Sequence, residues 1–233
     1  MNTKSMIKKI KLNDESFRLI KEEVAKQELR STGEIALAIT PESNDYSFWE
    51  LIASTYLSSV TFIIMLFNAS KITRFCQSLS WDNQDWYVPA FFGIIMILVL
   101  LVGFWISNIP AIDRFIIPKQ VQHKFVTARA FQHFAQSGVY ETKEHTGILI
   151  FVSYLEHQVR IIADSGISAK VPQDLWNLIA DDLASNLKEN NVTEGFIQAV
   201  QKCGDLLAEN FPPHEENPNE LPDGLVILGG SNE

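Results

Sequence analysis

Two stretches of this chain carry no charge. From Leu51 to Ser70 the sequence runs LIASTYLSSVTFIIMLFNAS, and from Val88 to Ile109 it runs VPAFFGIIMILVLLVGFWISNI. A bilayer core about 30 Å thick is crossed by roughly 20 helical residues, and each run reaches that length. Trp49 precedes the first run, Trp86 and Tyr87 precede the second, and Trp105 sits near its end. Amphipathic rings favour those positions because the headgroup level is wet on one side and apolar on the other. Pro89 falls in the first turn of the second run, where a missing N–H costs nothing. The pair predicts a transmembrane hairpin, with spans at about 50–70 and 88–109 and a short outer loop 71–87. Ser54, Thr55, Ser58, Ser59 and Thr61 make the first span rich in hydroxyls, which bond back to helix carbonyls or across to a neighbouring helix. Without an intramembrane charge, packing explains them better than a transport path.

The flanking segments alternate between helix and strand periods. Asn13 or Asp14 can cap a helix whose apolar positions are Phe17, Ile20 and Val24, with Arg18, Lys21, Glu22 and Lys26 outside. Thr32-Gly33 breaks it, Glu34 to Thr40 (EIALAIT) reads as a strand, and Pro41 stops that strand. Beyond the spans, Pro118 opens a helix to about Ser137, with Phe125, Ala128, Phe131, Phe134 and Ala135 as its expected apolar face and Gly138 as its stop. Gly147 to Tyr154 is nearly all apolar, as suits a central strand covered on both faces. Leu155 to Gln158 turns the chain, Val159 to Ala163 pairs back, and Asp164-Ser165-Gly166 closes the hairpin. Two helices follow. Leu175, Leu178, Ile179, Leu183 and Leu187 stripe the first, with Asp181, Asp182 and Lys188 facing water. Phe196, Val200, Cys203, Leu207 and Phe211 stripe the second, and His214 to Pro222 is a polar tail. Leu225 to Leu228 can add a last strand.

Neither flank holds enough strands to bury a core, so the two are expected to join across the hairpin. The fold class that follows is α/β: a single mixed-sheet domain interrupted by a transmembrane helical hairpin. Its first part covers 1–48, the hairpin 49–109, its second part 110–228, and 229–233 is a tail.

Charge orients this arrangement. Lys4, Lys8, Lys9, Lys11, Arg18, Lys21, Lys26 and Arg30 precede the spans, and Arg114, Lys119, Lys124 and Arg129 follow them. The outer loop has Lys71 and Arg74 beside Asp82 and Asp85. The positive-inside rule then puts both soluble parts in the cytosol, and the protein in a cell (inner) membrane as a multi-pass protein. No apolar segment follows the N-terminal lysines closely enough to read as a cleavable signal. A net charge of −9 argues against nucleic acid as a partner. Lipid and other membrane proteins are the expected partners, with a homo-oligomer through the spans as a further possibility. Cys76 and Cys203 are too far apart in sequence for a disulfide framework or a zinc cluster.

Several short motifs resemble one family in their order along the chain. Lys26-Gln27-Glu28 with Ser31-Thr32-Gly33-Glu34-Ile35 resembles the opening of the TPM-domain family, of the thylakoid lumen and photosystem repair factor type. Glu144-His145-Thr146-Gly147-Ile148-Leu149-Ile150-Phe151, Val159-Arg160-Ile161, Asp164-Ser165-Gly166-Ile167 and Ala169-Lys170-Val171-Pro172 resemble its second half. With Asn210-Phe211-Pro212-Pro213 and Asn219-Glu220-Leu221-Pro222, they look like a bacterial membrane branch carrying an inserted two-span hairpin. The resemblance implies an α/β sandwich-like domain. It also implies either an acid phosphatase binding a divalent cation, often calcium, or an assembly or modulatory factor for membrane complexes. Two departures bear on the cation. His145-Thr146 stand before Gly147 where common members carry an acidic residue, and the loop after the first strand retains only Glu42 and Asp45.

Phosphate-ester hydrolysis needs a nucleophile or activated water and neutralisation of charge on the transferred group. His145, Asp164 and Arg160 are the candidates. His145 enters the central strand and Asp164 leaves the next, so an antiparallel hairpin brings those ends together. The plainer reading has His145 and Asp164 satisfying turn and cap N–H groups, with Arg160 pointing to solvent or lying against a helix. Asp164, Asp181 and Asp182 are the carboxylates that suit a hard cation, against a solvated helix face as the plainer reading of the last two. His123, His133 and His157 are too scattered for a helical metal pair. No glycine-rich phosphate loop or nucleophile elbow is present, so the function expected first is non-enzymatic: an accessory or assembly factor for other membrane proteins. A divalent-cation-dependent phosphatase near the cytoplasmic face is the alternative, and a minimal channel subunit ranks third.

Overall fold

In a computed structural model of the chain, which describes residues 3–79, 84–107, 109, 112, 116–213 and 220–229, the apolar periodicity resolves into two compact units. One is formed by residues 1–44 and 119–233 together, the other by residues 45–118. Asp82, Arg114 and the stretch from His214 to Asn219 in the polar tail lie outside the described residues, as does the end of the chain from Gly230.

The first unit is built on β1 (Glu34–Thr40), β2 (Gly147–Ser153), β3 (Gln158–Ala163) and β4 (Leu225–Ile227), in the order β3-β2-β1-β4. β1 runs parallel to both β2 and β4, and β3 returns antiparallel to β2. The register pairs Glu34 with Gly147 and Thr40 with Ser153, so β1 and β2 start and stop together although the inserted segment separates them in sequence. Every residue of β2 is buried, as expected of a strand covered on both faces.

Helices α1 (Thr3–Ile10), α2 (Asp14–Glu28), α8 (Gln173–Lys188) and α9 (Val192–Asn210) cover one face; α6 (Lys119–Gln136) covers the other. Asn13 caps α2 by accepting the Ser16 N–H at 2.8 Å. The predicted stripe of α9 is buried throughout. Three local expectations are corrected. α1 was not foreseen in the lysine-rich start, where Met6 and Ile10 supply its buried side. On α6 the inward residues are Gln122, Val126 and Ala130, whereas Ala128, Phe131 and Ala135 are exposed. The short side chains of Val126 and Ala130 let the helix approach Leu149 and Phe151, which already fill that face of the sheet. On α8 Trp176 replaces Leu175 and Leu178 in the stripe, leaving Leu178 63% exposed. Both phases share Ile179, Leu183 and Leu187, and burying the indole covers more apolar area than either leucine.

The second unit contains α3 (Ser47–Phe67), α4 (Ala69–Leu79) and α5 (Tyr87–Ser107). α3 and α5 are each long and apolar enough to cross a membrane. They pack antiparallel: the Ser58 hydroxyl donates to the Met96 carbonyl at 3.1 Å, and the Phe62 and Phe92 rings meet edge to face. The Ser54, Thr55, Ser59 and Thr61 hydroxyls donate instead to carbonyls one turn back on their own helix. The segment between the spans, expected to be a loop, contains α4, whose Phe75 meets Phe91 of α5.

Candidate functional site

At the end of the sheet where β2 begins and β3 ends, the chain turns through Thr142 to Thr146 and places His145 at a positive φ of 53°. The His145 N–H donates to the Thr142 carbonyl, and its own carbonyl accepts the Gly166 N–H at 3.1 Å. Glycine is required on both sides of this contact. A Cβ at Gly147 would lie 2.1 Å from the Val139 carbonyl oxygen, and one at Gly166 would lie 2.6 Å from that of His145. Asp164 caps the short helix α7 (Ser165–Ser168), accepting the Ser165 N–H at 2.5 Å through Oδ1. Its Oδ2 lies 3.2 Å from His145 Nδ1. The imidazole is 61% exposed while the carboxylate is almost covered.

Arg160 does not join them. It lies four residues back along β3, about 13 Å at the usual strand rise. Its side chain is on the face covered by α6: Nε donates to Thr127 Oγ1 at 3.0 Å, and Nη2 meets His123 Nδ1 and Gln158 Oε1. Burial lowers the pKa of both Arg160 and His123, and the neighbouring guanidinium lowers that of His123 further. The structure thus brings together two of the three hydrolytic candidates and separates the third.

The carboxylates named for a cation do not converge either. Asp182 pairs with Lys202 at 2.5 Å, while Asp181 lies on the side of α8 that lines a cleft beside β3. Asp45, one of the acidic residues left after β1, accepts the Ser47 hydroxyl and, at 2.9 Å, the Ser47 N–H at the start of α3, and these two bonds hold its carboxyl below the usual range. Among the described residues, no three His, Cys, Asp or Glu side chains gather as a metal site.

Two polar groups were missed by sequence reasoning. Glu28, Glu34, Glu220 and Asp223 interact at the same end of the sheet as His145. Burial, reinforced by Glu34 and Asp223, pushes the Glu28 carboxyl up to about 8 even though its Oε1 accepts the Ile35 N–H at 2.9 Å. At the opposite end, buried Glu156 accepts the Ser43 N–H at 3.0 Å and the Ser153 hydroxyl at 2.5 Å, fastening the loops after β1 and β2. Neither group has a local signal. Glu28 looks like an ordinary helix-end carboxylate until β1 and Asp223 close over it.

The cleft beside β3, about 1060 Å³ in volume, is walled by α6 and α8. Arg160, Lys188, His123, Asp181 and Phe131 are among its lining residues.

Comparison with known proteins bears on the fold. No curated protein matches the chain. The BA42 protein of the psychrophilic bacterium Bizionia argentinensis, solved by NMR, shares the fold with a TM-score of 0.55. At 17% identity, the alignment covers 93% of this chain and 95% of that one. The sequence matches the TPM domain over residues 114–206, which take in α6, β2, β3, α8 and most of α9. With β1 and β4 completing the sheet to which the matched β2 and β3 belong, the comparisons show a TPM domain at residues 114–206.

Proposed function

We propose that this protein is a membrane-anchored TPM-domain protein acting as an accessory or assembly factor for other membrane proteins. The observation that carries the reading is the apolar surface of the inserted helices. Ile63, Ile64 and Phe67 on α3, with Ile97, Leu101 and Trp105 on α5, stand exposed, Phe67 at 86%. A patch of this extent is not sustained in water, and lipid tails or a neighbouring membrane helix are the natural cover. The distribution of Lys and Arg supports an inner-membrane protein with the TPM domain in the cytosol and α4 outside. Carbonate washing should leave the protein in the membrane pellet; release into the supernatant would defeat the anchoring. Gln77→Cys in a Cys76→Ala background should react with an impermeant maleimide in intact cells, and labelling only after lysis would reverse the orientation. Affinity purification in mild detergent should return specific membrane proteins, whereas repeated recovery of the bare chain would count against an accessory role.

A second reading, a divalent-cation-dependent phosphatase, is favoured by the contact between His145 and Asp164. It predicts p-nitrophenyl phosphate hydrolysis, stimulated by calcium and abolished by His145→Ala with Asp164→Ala. Hydrolysis surviving both substitutions would remove the pair from any such chemistry.

A further inference from the structure

We propose that the open edge of β3 is a docking site for an extended acidic peptide segment, which pairs with the Ile161 backbone and presents a carboxylate to Arg160. The inference rests on the accessory-factor reading and names the surface it would use. β3 is an outermost strand of the sheet. The Asp164 N–H bonds to the Gly147 carbonyl, and the Tyr154 N–H to the Thr40 carbonyl. In an antiparallel ladder those bonds fix the alternation: Gln158, Arg160 and Ile162 turn their backbone groups to β2, while Val159, Ile161 and Ala163 turn theirs to the cleft. The Val159 carbonyl accepts Arg160 Nη1 at 2.7 Å, and the Ala163 carbonyl accepts the Ser168 hydroxyl at 3.1 Å. Between them lie the Ile161 N–H and C=O, the pairing unit that an added strand engages.

Charge selects the occupant. The Arg160 guanidinium is half-buried, yet its hydrogen-bond partners Thr127, Val159, His123 and Gln158 are all neutral or carbonyl groups. Among the described residues it makes no ion pair. The Asp181 carboxylate acts on it from beyond ion-pair distance, and a half-buried cation without a direct ion pair still gains from an incoming carboxylate, which binds the guanidinium more strongly than a neutral amide does. Lys188 adds a second positive charge to the lining against Asp181, in a chain whose net charge is −9. Phe131, 56% exposed on the α6 wall, offers apolar contact to a neighbouring side chain of the same segment. The competing explanation is protective, since a charged residue on an edge strand discourages unwanted pairing.

The test uses the full chain in detergent micelles and three fluorescein-labelled octapeptides of alternating threonine and valine, centred on aspartate, asparagine or lysine. Fluorescence anisotropy should show the aspartate peptide binding at least about tenfold tighter than the asparagine peptide, and the lysine peptide not binding, as expected for charge-assisted pairing. Arg160→Gln should weaken the aspartate peptide by at least about tenfold. Ala163→Pro, which removes an outward N–H but no ladder bond, should weaken all pairing while leaving the circular dichroism unchanged. If Arg160→Gln unfolds, Arg160→Lys, which keeps the charge and loses the fork, should still lower affinity. Equal binding of the three peptides, or binding indifferent to these substitutions, would overturn the proposal. So would a dimer that Arg160→Gln dissociates, because the occupant would then be a second copy. Partner recovery from membrane extracts that persists in Arg160→Gln overturns this surface alone and leaves the accessory role standing.

Discussion

Asp164 serves two neighbours with its two oxygens, one capping α7 and the other facing His145. Removing the cap should cost about 1 kcal/mol, whereas asparagine keeps an acceptor for the Ser165 N–H. Urea unfolding should therefore find Asp164→Ala destabilised and Asp164→Asn close to the parent; equal losses would mean that the His145 contact dominates. Glu28 makes a pH-dependent contribution of opposite origin. Its folded carboxyl titrates near 8, above its ordinary value of 4.5, because burial disfavours the anion. Below the lower value both states hold the proton and the contribution is complete. Between the two values the unfolded chain ionises first, so stability falls as pH rises, by at most about 1.4 kcal/mol per pH unit. Above the folded value both states are ionised and the slope ends. Glu28→Gln keeps an oxygen for the Ile35 N–H and cannot ionise. Its unfolding free energy should fall less than the parent's between pH 5 and 8, and parallel curves would refute the assignment.

At the scale of the element, α8 shows how packing chooses between two phases of one helix. Its later turns bury Ile179, Leu183 and Leu187 in either phase, and the first turn is settled by Trp176, which is 1% exposed. Trp176→Ala should cost about 3–5 kcal/mol, and Leu178→Ala should stay within about 0.5 kcal/mol of the parent. Comparable losses in chemical denaturation would show that the helix sits in the other phase. α3 illustrates a different rule. Its hydroxyls satisfy themselves on their own helix carbonyls, except for Ser58, which reaches α5. Self-satisfied hydroxyls can face lipid without leaving a polar group bare.

For the whole molecule, the decisive feature is a sheet assembled from two chain segments on either side of an insertion. The core joins Met6, Ile20 and Ile35 from the first segment to Ile150, Trp176 and Phe196 from the second. Replacing residues 45–118 with a flexible Gly/Ser linker of about ten residues should therefore yield a water-soluble, cooperatively unfolding protein. An insoluble or molten product would mean that the inserted helices are needed for the domain to fold. The sequence alone determined the elements whose signals are local: uncharged runs long enough for a bilayer, the EIALAIT strand between Gly33 and Pro41, the β2–β3 hairpin and the stripe of α9. It also carried the resemblance to the TPM domain, through short motifs in a characteristic order. The tertiary structure decided what depends on pairing across the insertion. It set β1 beside β2, left β3 as the open edge, gathered Glu28 with Asp223, and kept Arg160 away from His145. Helix and strand periods report which face of an element is apolar, whereas strand order and the meeting of charges depend on contacts between residues far apart in the chain, and no local pattern encodes them.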